Sequence, residues 1–182
     1  MIISLTIVID IWKLNETFKR NWGKSKVNDK KYLHSDLTEQ IISAFYLVYR
    51  HLGYGFLEKV YENAMLYEME LMGLKVEAQK QIDVIYKDFN VGTYFADLLV
   101  DNRVIVELKA QEFLHKEHYH QLTNYLKATE YEVGLLINFG KNPELRRFCY
   151  TNGQKQLRRT RLDSLPVSIN ILEASPSNTG RK

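Results

Sequence analysis

The stretch VIVELKA, residues 104–110, decides the fold. Val104, Ile105, Val106 and Leu108 are the residues of a strand covered on both faces. Glu107 and Lys109 interrupt it. Side chains two apart on a strand share a face, so an acid and a base emerge side by side from an apolar element. An ordinary ion pair on a solvated sheet face is one explanation. The strand before it sharpens the question. In YFADLLV (94–100), Asp97 stands among Phe95, Ala96, Leu98 and Leu99, where a carboxylate is costly to bury without compensation.

Asp101-Asn102 is a turn signal between the two stretches, and pairing about it brings Asp97 and Glu107 close together. Two neighbouring carboxylates repel, and one stays protonated unless something compensates it. A divalent cation removes that conflict, and hard oxygen ligands suit Mg²⁺ or Mn²⁺. Lys109 would then hold the attacking water and stabilise developing charge, a set suited to phosphodiester hydrolysis.

Outward from this pair, the pattern predicts an α/β domain. Order begins at Ser35-Asp36, with Asp36 as helix cap and Glu39 completing a capping box. Ile41, Phe45, Val48 and Leu52 continue at helical spacing until the glycines of HLGYGF. A second helix is expected over about 56–72. Phe56, Val60, Ala64, Tyr67 and Leu71 form its core stripe, and Tyr61, Met65, Met69 and Met72 the opposite face. Strands follow at 75–86, 91–100 and 104–110, joined by short turns as an antiparallel meander. A third helix over about 114–129 carries Tyr119, Leu122 and Leu126 on one stripe and His118, Gln121 and Tyr125 on the next. YEVGLLINF (131–139) and ELRRFCY (144–150) read as further strands, giving a mixed sheet flanked by helices. Residues 1–34 read as an extension and linker, 35–172 as one domain, and 173–182 as a disordered tail.

The chain has 182 residues, 45% hydrophobic and 26% charged, as in ordinary globular domains. Its net charge of +3 permits a polyanionic partner without demanding one. The single cysteine, Cys149, excludes an intramolecular disulfide and fits a reducing, cytoplasmic setting. The apolar opening MIISLTIVIDIW is too short to span a membrane. His115, His118 and His120 invite a zinc reading, but His120 cannot share a helix face with the other two and no cysteine lies nearby. Between residues 146 and 161 the basic residues Arg146, Arg147, Lys155, Arg158, Arg159 and Arg161 occur without an acid, a pattern that binds phosphate backbones or simply faces solvent.

Asp97 followed by Glu107-Leu108-Lys109 resembles the catalytic core of the PD-(D/E)XK nuclease superfamily, whose core is a helix, a three-stranded meander, a helix and a strand. Gly55-Phe-Leu-Glu58-Lys-Val-Tyr61 is similar to the signature of the GxxExxY proteins, as are LTEQIISAF, YENA, ADLLV, VELKA, QLTNYLKAT and GLLINFG. This resemblance implies that Asp97 and Glu107 hold the metal, with Glu58 completing the shell, and that Lys109 is the catalytic lysine. It also implies that Gln121 and Tyr125 orient substrate phosphate, as in exonucleases of the RecB type. Ala96 stands where the superfamily's name has proline. Glu62, one turn beyond Glu58, competes for the helix acid's role. The expected function is a Mg²⁺-dependent nuclease acting on DNA. The alternatives are a non-catalytic nucleic-acid-binding module, or an interaction protein such as a dimer through the Met-rich face of the second helix.

Overall fold

The computed structural model describes residues 32–163, with side chains as far as Thr160. The chain divides into two units, Met1–Ser35 and Asp36–Lys182, and nearly all described residues lie in the second. The apolar opening segment MIISLTIVIDIW and the tail expected to be disordered at 173–182 lie outside the described residues.

Helix α1, Ser35–Leu52, buries Leu37, Ile41, Ala44, Phe45 and Val48. Asp36 sits in its first turn, where a carboxylate faces the positive end of the helix, and not at the cap as expected. Gly53 ends the helix with φ 67°, and its N–H returns to the Tyr49 carbonyl at 2.8 Å.

Helix α2, Glu58–Leu71, buries the face opposite to the one expected. Tyr61, Met65 and Met69 are inside, whereas Phe56, Val60, Tyr67 and Leu71 are exposed. The cause is Tyr61. Its ring stacks on Phe139 at 4.1 Å, and its hydroxyl donates to the Gly53 carbonyl at 3.0 Å. That contact fixes the helix's rotation, and the flexible methionines fill the space left beside it. With Met65 and Met69 in the chain's own core, the Met-rich face is not free to form a dimer.

Strands β1 (Val76–Tyr86), β2 (Phe89–Val100) and β3 (Val104–Lys109) form the meander, antiparallel throughout. Lys87-Asp88 and Asp101-Asn102 all have positive φ, the conformation of the primed turns whose twist matches a hairpin. Helix α3 (Lys116–Ala128) crosses over to β4 (Val133–Asn138), which pairs parallel with β3, and β5 (Glu144–Cys149) closes the mixed sheet in the order β1-β2-β3-β4-β5. Alternation along β3 divides the core. Val104, Val106 and Leu108 pack with the α1 and α2 residues, and Ile105 packs with Leu122, Tyr125 and Leu126 of α3.

A final helix, α4, spans Asn152–Asp163. The sequence pattern does not foretell it, because its described side chains form no apolar stripe: Leu157 is exposed and Lys155 is the residue it buries. Among the described residues, no helix is long and apolar enough to cross a membrane.

Candidate active site

Every side chain of β3 is buried, including the two charged ones. Glu107 is 1% exposed and Lys109 9%, and Lys109 Nζ donates to Glu107 Oε1 at 2.8 Å. A pair on a solvated sheet face is therefore excluded. The other carboxylate oxygen, Glu107 Oε2, is buried and has no hydrogen-bond partner among the described residues. Such an atom costs about 1–3 kcal/mol, more for a charged group, so it marks a place where a ligand is expected.

Asp97 joins this pair through a break in the sheet. The β2–β3 ladder runs from Val100↔Val104 to Leu98↔Val106, and Asp97 and Glu107 are the next residues on each strand. Beyond that point Asp97 Oδ2 accepts the Leu108 N–H at 2.7 Å, so a side chain does what a backbone carbonyl would have done. On the other side of β2, Ala78↔Leu98 and Lys80↔Ala96 are paired, and Gln79 stands opposite Asp97 with φ 51°. Left-handed backbone is strained for glutamine. Gln79 Nε2 donates to Glu62 Oε2 at 3.0 Å, and Lys59 Nζ lies 2.6 Å from Glu62 Oε1. Glu62 is thus buried but partnered, beside the kink that frees Asp97. Glu58 reaches the end of β3, where its Oε1 accepts the Ala110 N–H at 3.4 Å.

The electrostatics follow from this crowding. Burial first, and then the Asp97 charge, push Glu107 up to about 7 against the pull of Lys109. Burial also raises Asp97, with the Glu62 and Glu58 charges adding to it and the Leu108 N–H opposing it. For Lys109, burial alone would favour the neutral amine, but Glu107, Glu58 and Asp97 together outweigh it and hold the ammonium above its ordinary value. Burial and the Lys109 charge lower His118.

On α3, Gln121 Nε2 donates to the Tyr125 hydroxyl at 2.7 Å, which donates to the Phe95 carbonyl at 3.2 Å. Burial first, with the Glu107 and Asp97 charges adding to it, pushes that hydroxyl up to about 12 against the Gln121 hydrogen bond, which lowers it. The two helix residues thus meet each other and the β2 backbone just before Asp97. His115 and His118 cap α3 reciprocally, which accounts for them without zinc.

Asn138 escapes the sequence reading. It is fully buried at the end of β4, and its amide exchanges two hydrogen bonds of 2.9 Å with the Gln111 backbone. These fasten the chain just after Lys109. A Cβ on Gly140 would collide with the Gln111 carbonyl, so only glycine fits there. A polar residue inside the apolar run GLLINF was the available signal, the same one that exposed Glu107.

The basic segment divides. Arg146 and Arg147 lie on β5, where neighbours alternate between faces, and Arg146 pairs with Glu144 at 2.9 Å. Lys155 is buried, and its ammonium donates to the Thr129 and Tyr131 carbonyls at 2.9 and 2.8 Å. It is a tether between α4 and the end of α3, not a phosphate contact as expected. Arg158 and Arg159 are exposed on α4, and the side chain of Arg161 lies outside the described residues.

A hard cation fits the donor set of Asp97 and Glu107, with the unpartnered Oε2 as the observation in its favour. Among the described residues, no three His, Cys, Asp or Glu side chains already stand as a closed metal cage.

A mixed sheet with acid, acid and lysine at the parting of two central strands is the architecture of a nuclease fold. The chain belongs to the PD-(D/E)XK nuclease superfamily, whose family model matches residues 35–148. No curated protein matches the sequence. Among solved structures, the chain is similar to one titled "Crystal structure of SSO0001", with 16% identity and a TM-score of 0.41, over 88% of this chain and 84% of that one.

Proposed function

We propose that the chain is a Mg²⁺- or Mn²⁺-dependent nuclease hydrolysing phosphodiester bonds of DNA, and that within its superfamily it is of the GxxExxY kind. The observation that carries this reading is the buried Glu107–Lys109 pair beside Asp97, with one Glu107 oxygen unpartnered. Asp97 and Glu107 would hold the cation and Glu58 would complete its surroundings. When bound, the cation supplies positive charge to the phosphate and makes water a better nucleophile.

The chain's own residues do the rest. Lys109 stays cationic at neutral pH because its acids raise its pKa, so it acts as a hydrogen-bond donor and not as a base. It orients the attacking water and stabilises charge building on the phosphate oxygens. Gln121 and Tyr125, held together and to the β2 backbone, position the substrate phosphate. Asn138 keeps the end of β3 in place. Arg158 and Arg159 would neutralise phosphates away from the site. An exposed, unbridged Cys149 suits a cytoplasmic setting.

The test is cleavage of linear, circular and single-stranded DNA, and of RNA, with Mg²⁺, with Mn²⁺ and with chelator. Metal-dependent cleavage that Lys109→Ala abolishes supports the reading. Folded wild-type protein that cuts none of these substrates with either metal would overturn it.

A further inference from the structure

We infer that Tyr94 is a stacking platform for an unpaired nucleobase, so that the site takes single-stranded nucleic acid or a frayed end in preference to an intact duplex. This rests on the nuclease reading and names its substrate class.

The argument begins with two neighbouring aromatic residues that differ in surroundings. Tyr94 and Phe95 are similarly exposed, 49% and 52%, yet they point to opposite faces of β2. Tyr94 pairs with Ile82, which is buried in the cluster under α3. Its ring lies against that of Tyr125, with centroids 5.8 Å apart. Tyr125 is in turn bound to Gln121 and to the Phe95 carbonyl, and it feels the charges of Glu107 and Asp97. Tyr94 is therefore a half-open ring with a fixed support on the α3 face of the sheet, the face on which Glu107 follows Ile105 along β3. Phe95 pairs with Gln81, on a face that carries the Asp83 carboxylate, and among the described residues no ring supports it in the same way.

A ring in Tyr94's position calls for a flat, uncharged partner. Glu58, Glu62, Asp97 and Glu107 crowd the neighbouring site, and they offer a phosphate little attraction before a cation is bound. Stacking needs no cation. Every base has a π-face, and stacking on an aromatic residue is worth about 1–3 kcal/mol per base. Bases inside a duplex are already stacked on each other, and reaching Tyr94 would require unpairing them. The partner whose phosphate enters the site and whose base meets Tyr94 is thus an unpaired strand.

The test measures binding of a short labelled oligothymidylate, and of a blunt duplex of equal length, by fluorescence anisotropy. The full chain is used, with Ca²⁺ replacing Mg²⁺, and each variant's melting curve is checked. Tyr94→Ala should weaken single-strand binding about 5- to 150-fold, the range that stacking of one base implies. Tyr94→Trp should retain it, Phe95→Ala should leave it within about twofold of wild type, and duplex binding should not change. The inference is overturned if Tyr94→Ala binds the single strand as wild type does, if both substrates lose equally, or if Phe95→Ala costs as much. It is also overturned if either alanine variant turns a sedimenting dimer into a monomer, since the β1–β2 hairpin would then dock a second copy. Cleavage with Mg²⁺ is run in parallel. The predicted binding pattern with no cleavage of any substrate sinks the nuclease reading alone. Metal-dependent cleavage with Tyr94→Ala unaffected on single strands sinks the stacking inference alone.

Discussion

Replacing Glu107 by glutamine should make the metal-free protein more stable at neutral pH and flatten its pH dependence. Glu107 is pushed from 4.5 to about 7 by burial and by Asp97. An acid whose pKa is raised on folding binds more protons in the native state than in the unfolded one, so stability falls as pH rises between the two values. The difference of about 2.5 units, at 1.36 kcal/mol each, sets a ceiling near 3 kcal/mol. Between pH 5 and 7.5, most of that interval, the loss should be about 2 kcal/mol. Asp97, also raised, adds to the same slope. Lys109 adds none, because it is charged in both states throughout this window. Asp83 and Asp101 are lowered, so the stability they contribute is present above the ordinary carboxylate value and lost only as pH falls below it. The assay is urea denaturation in chelator at several pH values. Wild-type stability should decline from pH 5 to 7.5, and Glu107→Gln should remove most of that decline. A wild-type curve that is flat or rising over this range, or an equal slope in the variant, would refute the burial and repulsion described for Glu107.

Lys109→Ala should lower cleavage by roughly 10²-fold or more while leaving Mg²⁺ and DNA binding near wild type, as expected when an electrostatic stabiliser is removed. Asp97→Ala should instead weaken Mg²⁺ binding by calorimetry, and equal metal affinity in both variants would contradict the division of roles. Arg158→Ala with Arg159→Ala should reduce the salt dependence of DNA binding by about one unit for each phosphate no longer neutralised. Lys155→Ala should leave that slope unchanged but cost about 2 kcal/mol in denaturation, since two carbonyls lose a charged donor. Gln79→Gly relieves a left-handed glutamine but frees Glu62; cleavage should fall with little loss of stability, and unchanged cleavage would show that the Glu62–Gln79 pair does not serve Asp97.

The meander and the acids on it were legible because each rests on a local conflict. Asp97, Glu107 and Lys109 are charged residues in apolar strands, and the turns between them carry Asp and Asn where positive φ is needed. The rotation of α2 was not legible. Both its stripes are apolar, and the choice falls to a contact between Tyr61 and Phe139, distant in sequence. α4 has no described apolar stripe, so periodicity gives it no signal. Lys155 reads as a surface cation because lysine is rarely buried unless its charge is satisfied, and here two carbonyl oxygens satisfy it. Gln79 and Asn138 act through partners that only the folded chain supplies.

The sheet is stitched from two local pieces by a single distant seam. β1 to β3 close through tight turns, β4 and β5 form a hairpin, and only the parallel β3–β4 pairing joins residues 29 apart, Val104 to Val133. Long-range pairing is the slow part of folding, because the loop must close before any contact rewards it. The meander can therefore form with Glu107 and Lys109 still in water, and their dehydration falls on the docking of β4 and α3. Until then VIVELKA, destined for the middle of the sheet, is an exposed edge of unpaired backbone, a template for another chain. Refolding yield should accordingly fall as protein concentration rises, and a yield independent of concentration would show that the seam closes early. The strand that carries the chemistry is the one most in need of rapid cover.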